Sequence, residues 1–179
     1  MRAKGAVRRM GLGNSRLFEM RHIALITGAS RGLGSAIALE LAASGLSVAI
    51  NYKNSHDLAE RLCSRIRAMG GEAAPFQADV RDEAQVSELV NEVTGQLGPI
   101  DTLVVNATGP QPFLAIEEQT WECYLDQLEF FVKSPLLLLK AILPNMKRNS
   151  YGRVIPKDIT LTFRSIFSGT IVNDLSFIR

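Results

Sequence analysis

At 179 residues, with 46% hydrophobic and 21% charged side chains, the chain has the size and composition of one ordinary soluble domain, which excludes collagen-like, disulfide-scaffold and wholly disordered classes. A chain of this length buries about 70% of its unfolded surface, so it needs neither disulfides nor a metal to fold. The net charge of +2 is unevenly spread: residues 1–19 carry five basic groups and one acid, leaving 15 basic against 17 acidic groups in the remainder. The basicity therefore belongs to the leading segment, which argues against a nucleic-acid surface on the body.

Residues 1–19 are rich in Gly and Arg and show no sustained apolar period, so they are expected to form a basic, poorly ordered extension upstream of Met20. They lack the apolar stretch of a secretory signal; an Arg-rich, acid-poor organellar leader is the lesser alternative. The apolar run 136–139, closed by Lys133 and Lys140, falls far short of the roughly 20 residues a bilayer span requires, and no membrane partner is expected. Cys63 and Cys123 form no CxxC pair and neither histidine lies near them, which reads as free thiols in a reducing cytoplasm with no metal site.

From residue 20 onward strand and helix signals alternate. Residues 22–27 form a short apolar run that ends in a glycine loop, and 34–44 follow with helical character. A second strand is expected over 46–51, then a charged amphipathic helix over 55–69 that Gly70 and Gly71 terminate through a left-handed cap. A short third strand covers 73–77, a third helix 83–97 and a fourth strand 101–105. Continuously apolar strands separated by helices of ten to fifteen residues imply parallel βαβ units with helices on both faces. The expected fold class is α/β, a doubly wound Rossmann-type parallel sheet.

Between the first strand and helix stands Thr27-Gly28-Ala29-Ser30-Arg31-Gly32-Leu33-Gly34. Glycines here permit a sharp turn and let backbone N–H groups approach a ligand, while the following helix directs its partial positive charge at the loop. In that context the pattern predicts a pyrophosphate site. A free ribose 2′-hydroxyl is usually held by an acid about 20 residues further on. The sequence there is Asn51-Tyr52-Lys53-Asn54, without one. Lys53 and Arg31 would instead neutralise a 2′-phosphate, so NADPH (NADP+) is favoured over NADH.

These residues resemble the short-chain dehydrogenase/reductase family. Thr27-Gly28-x-x-x-Gly32-x-Gly34 is similar to its cofactor loop, Asp79-Val80 to its adenine-contacting pair, and Asn106-Ala107 to part of its Asn-Asn-Ala-Gly element, with Val105 and Thr108 departing from that pattern. Trp121, the run 140–146 and Gly152-Arg153-Val154-Ile155 also resemble family segments, and the nearest type is the bacterial 3-oxoacyl-[acyl-carrier-protein] reductase. The resemblance covers 20–155. It implies sheet order 3-2-1-4-5, incomplete at its C-terminal edge. It further implies cofactor contacts from Gly28, Ser30, Arg31, Gly32, Leu33, Gly34, Asn51, Tyr52, Lys53, Asp79, Val80, Asn106 and Ala107.

The family's chemistry is hydride transfer between a nicotinamide and a carbonyl or alcohol. Its tyrosine acid/base has a lysine four residues later to lower a pKa that is near 10 unperturbed. Here the residues four beyond Tyr52, Tyr124 and Tyr151 are His56, Leu128 and Ile155, so there is no Tyr-x-x-x-Lys. By family spacing the catalytic Ser falls at Asp158 or Ile159, the Tyr and Lys at Val172 and Ser176, and the helix Asn at Phe131. The expectation is therefore a cofactor half (20–155) followed by a divergent tail (156–179), with no catalytic residues and no turnover. The abrupt change suggests a frameshift, an alternative splice or a truncated gene; translating the coding DNA past codon 155 in the other two frames tests the first. Alternatives are a non-catalytic NADP-binding or interaction module, and a remnant that reaches no stable fold.

Pro156 is expected to interrupt the fifth strand, which the alternating segment 159–163 would partly replace. A long helix over 117–147, kinked or begun at Pro135, carries Leu128, Phe131, Pro135, Leu138, Leu139, Ile142 and Met146 at helical spacing. Core packing is the first reading of that face and of Trp121, with a homo-oligomer contact as the second.

Overall fold

The computed structural model describes residues 22–109 and 115–156. In chain order the elements are β1 (Ile23–Ile26), α1 (Gly32–Ala43), β2 (Ser47–Tyr52), α2 (His56–Ala68), β3 (Ala73–Gln77), α3 (Glu83–Gln96), β4 (Thr102–Val105), a 3-10 turn (Ile116–Glu118), α4 (Trp121–Leu128), a π turn (Glu129–Lys133), α5 (Ser134–Arg148) and β5 (Arg153–Pro156). The strands pair in parallel in the order β3-β2-β1-β4-β5. Expected and observed ends differ by a residue or two at most of these elements, as is usual at fraying termini.

Every residue of β1, β2 and β4 is buried, because helices cover both faces of the sheet. Alternation along each strand divides the apolar side chains between two cores. Leu25, Ala49, Phe76 and Leu103 face α3 and α5, while Ile26, Val48, Ile50 and Val104 face α1 and α2. Helix α2 meets its core with Ala59, Leu62, Cys63 and Ile66, the spacing of one helical face. It ends as expected: Gly70, at φ +86°, donates to Arg67 O and Gly71 donates to Ile66 O, the paired bonds of a Schellman cap. Helix α3 starts on Asp82, whose carboxylate accepts from the N–H of Gln85.

Three expectations need correction. The single helix over 117–147 begins only at Trp121 and contains a π turn, in which Ser134 N–H donates to Glu129 O, five residues back. Pro135 supplies the reason: lacking an N–H it cannot serve the carbonyl of Phe131, so the ladder changes register just before it. The apolar face of that segment is also divided. Pro135, Leu138, Leu139, Ile142 and Met146 are buried, but α4 buries no residue, Leu128 is exposed, and Trp121 is 62% exposed rather than packed. Finally, β5 runs up to Pro156, which stands opposite Val105. A proline at the last position of a strand costs the ladder little. Residues 1–19, the segment 159–163 and positions 158, 159, 172 and 176 lie outside the described residues.

Candidate functional site

The C-terminal ends of β1, β2 and β4 converge where strand order reverses on either side of β1, the place where open α/β sheets bind ligands. Thr27 ties these ends together. Its hydroxyl donates to Val104 O at 3.3 Å and accepts from the N–H groups of Asn106 (2.9 Å) and Ala107 (3.0 Å). Asn106 answers from β4, its amide donating to Thr27 O and Gly28 O at 2.9 and 3.1 Å. Asn51 does the same from β2: its Oδ1 accepts from Gly28 N–H at 3.2 Å and its Nδ2 donates to the carbonyls of Phe76 and Ala78. Both side chains are buried, and these bonds brace the glycine loop from either side.

Two glycines are required by this closeness. Gly28 has φ +60°, and a Cβ on it would come within 2.8 Å of Ala107 Cα. A Cβ on Gly34 would meet Asn106 Nδ2 at 2.5 Å and the backbone at Gly28 and Ala29 at 2.9 Å. Helix α1 therefore begins pressed against β4, and its start has no side-chain cap: Arg31, the residue before it, is extended and makes no capping bond. The N–H groups of the first turn, at Gly32, Leu33 and Gly34, are the donors such a start leaves for an anion. Arg31, Gly32 and Leu33 are exposed and Ser30 is half-buried, so the cradle is open. The donor set, the tight glycines and the exposed rim fit a dinucleotide pyrophosphate.

The other expected contacts separate into framework and rim. Tyr52 is buried and its hydroxyl bonds His56 Nδ1 at 2.6 Å. Burial, with Glu60 and Cys63 nearby, raises its pKa, the opposite of what a tyrosine base needs. Val80 packs its side chain into the α3–α5 core, and Ala107 fits against Gly28. Burial also pushes the Cys63 thiol up to about 11, so it is an inert packing group.

At the rim, Lys53 Nζ lies 2.8 Å from Asp79 Oδ2. Sequence reading paired neither residue with the other and missed Arg81. The Arg81 guanidinium forks onto Asp79, Nε to Oδ1 at 3.1 Å and Nη2 to Oδ2 at 2.9 Å. Arg81, then Lys53, hold the Asp79 carboxyl well below the usual carboxylate range. The available signal was local, Asp79-x-Arg81 just past a strand end, a spacing at which a turn returns the second side chain to the first. Among the described residues no group of three His, Cys, Asp or Glu side chains could hold a metal, and no helix is long and apolar enough to cross a membrane.

Comparison with known proteins places this site in a lineage. The family profile described as short chain dehydrogenase matches residues 22–157. The 3-oxoacyl-[acyl-carrier-protein] reductase FabG of Staphylococcus epidermidis is 38% identical over 138 residues, covering 76% of this chain and 55% of that protein. The short chain dehydrogenase/reductase dmxR18 of Cryptosporiopsis is 31% identical over 163 residues, 88% of this chain and 61% of its own length. Among solved structures, a metagenomic short-chain oxidoreductase in complex with NADP matches with a TM-score of 0.70 and 28% identity, over 75% of this chain and 61% of the other. The chain thus spans little more than half the length of these relatives, and it belongs to the short-chain dehydrogenase/reductase family.

Proposed function

We propose that the chain binds NADP in the cradle between β1 and α1. The observation that carries this reading is the uncapped first turn of α1, opening on a glycine loop that Thr27, Asn51 and Asn106 hold from three strands. Backbone N–H groups of Gly32, Leu33 and Gly34 would take the pyrophosphate. Ser30, Arg31 and Lys53 would line the ribose-phosphate end, with Asp79 and the backbone of Val80 beside the base. Gly28, Asn51, Tyr52, Asn106 and Ala107 shape the site from behind. The NADP bound to a solved relative supports NADP over NAD. By family resemblance the ancestral activity is reduction of a carbonyl of the 3-oxoacyl kind, with NADPH as the hydride donor. The domain is taken as 20–155, set in a reducing cytoplasm.

The chain as written has no Tyr-x-x-x-Lys, and Phe131 stands where the family's helix Asn is expected. It is therefore proposed to bind the nucleotide without turning over a carbonyl. Thermal unfolding with NADPH or NADH at matched concentrations tests the binding. A ligand at a hundredfold excess over Kd adds about 2.7 kcal/mol to native stability. A cooperative melt raised further by NADPH than by NADH is the expected result, and a melt indifferent to both overturns it. Protein-dependent NADPH oxidation with a 3-oxoacyl thioester would overturn the claim of inactivity.

A second reading, an interaction module, is favoured by one observation. Trp121, Tyr124, Leu125, Leu128, Val132 and Leu136 are all 43–62% exposed and recur along one helical stretch. A second copy of this chain packing there would bury them, and sedimentation over a concentration series would reveal the dimer.

A further inference from the structure

The side chains gathered around Asp79 form an arrangement that nucleotide binding alone does not explain. Lys53 is the cation placed to meet a 2′-phosphate, yet in the free chain it is paired with Asp79 Oδ2 at 2.8 Å. A phosphate dianion arriving at Lys53 must take it from a carboxylate, and that carboxylate then stands close by with like charge. Arg81 already occupies the same carboxylate through both its oxygens. Arg81 is itself restrained from behind, its Nη1 lying 2.9 Å from Asp126 and 3.5 Å from Glu129, with the Phe130 ring 4.6 Å from its guanidinium carbon. These contacts join the end of β3 to α4 and the π turn, and they hold the guanidinium on Asp79 rather than leaving it free to swing outward.

We propose that Arg81 is a positioning residue for NADP selectivity: by neutralising Asp79 it lets Lys53 leave that carboxylate for the 2′-phosphate. Asp79 without Arg81 would hold Lys53 more tightly and repel the phosphate. NAD lacks the phosphate and draws nothing from Lys53, so any effect of Asp79 on the shared adenine cancels in the ratio of the two affinities. The proposal rests on the reading of the cradle as an NADP site, and its test separates the two.

The experiment is calorimetric or fluorescence titration of the full chain with NADP+ and with NAD+, for wild type, Lys53→Gln, Arg81→Gln, Asp79→Asn and the Arg81→Gln/Asp79→Asn double variant. Removing one neutralising charge near a phosphate changes affinity by about tenfold. Arg81→Gln should therefore raise the NADP+ Kd about tenfold relative to NAD+, and the same change made in Asp79→Asn should leave that ratio within about twofold. A merely structural role would weaken both nucleotides together. Loss of the NADP+ preference in Lys53→Gln supports the cradle reading; if Arg81→Gln then leaves the ratio unchanged, the role of Arg81 is overturned while that reading stands. An equal shift with and without Asp79 would mean direct phosphate contact and would also overturn it. Binding of neither nucleotide to wild type would overturn both. Melting of each variant without ligand, and the Asp79→Asn background itself, keep the comparison readable if Arg81→Gln is less stable.

Discussion

The strand-end cradle and the α4 segment are built on opposite terms. At the cradle, Thr27, Asn51 and Asn106 are buried and each bonds to two or more partners at or just past the ends of neighbouring strands. Helix α4 buries nothing, and its apolar residues stand in the open while α5, continuing the same helical run, fills the core with Leu138 and Ile142. The contrast shows what holds each region. The cradle is fixed by its own hydrogen bonds and by the sheet, whereas α4 is held by its continuity with α5 and by ionic contacts such as Arg81 to Asp126.

The largest effect should separate two leucines of α5, Leu136 and Leu138, that lie two positions apart. Leu138 is fully buried, so Leu138→Ala should cost about 2–5 kcal/mol in urea unfolding. Leu136, 56% exposed, should change stability by less than about 0.5 kcal/mol when replaced by Ala. Equal losses would abolish the distinction. Thr27→Val keeps the shape but strands the N–H groups of Asn106 and Ala107. It should cost about 2–3 kcal/mol in the same assay and weaken any nucleotide-dependent rise in Tm.

A third effect depends on pH. Because Arg81 and Lys53 depress the Asp79 carboxyl in the folded chain, its contribution is complete above the ordinary Asp value of about 3.9 and fades as pH falls below it. Unfolding free energies measured from about pH 6 down to about pH 3 should decline less steeply in Asp79→Asn, by about 1 kcal/mol at most across the range. Lys53 is half-exposed and contributes the smaller share. The smallest effect has the opposite sign. Ser150 sits at φ +52° after α5, where Ser150 N–H donates to Lys147 O and Tyr151 N–H to Met146 O, the same cap that Gly70 makes after α2. Ser150→Gly should therefore stabilise by about 0.5–1 kcal/mol, readable as a rise in Tm.

The sheet was legible because each strand is a continuous apolar run bounded by turn residues, and parallel order followed from the helices between them. The glycine loop was legible because its signal is local. What escaped reading depended on the third dimension. That Asn51 braces Gly28 follows from the β1–β2 register, which sets Ile26 beside Ile50. The pairing of Lys53 with Asp79 follows from β2 lying along β3, Tyr52 opposite Gln77. Trp121 and Leu128 carry an apolar periodicity that sequence alone reads as core, and only the position of α4 at the surface exposes them.

The bonds from Thr27 to Asn106 and Ala107 join residues about eighty positions apart. During synthesis, β1, α1 and β2 emerge first and can already place Gly28 against Asn51, but the cradle lacks its third wall until β4 has left the ribosome and inserted beside β1. Loop closure over that span is slow compared with local helix formation. The three-walled cradle would then be completed late on the folding path and in one step, so any nucleotide that binds only the finished cradle would report the docking of β4.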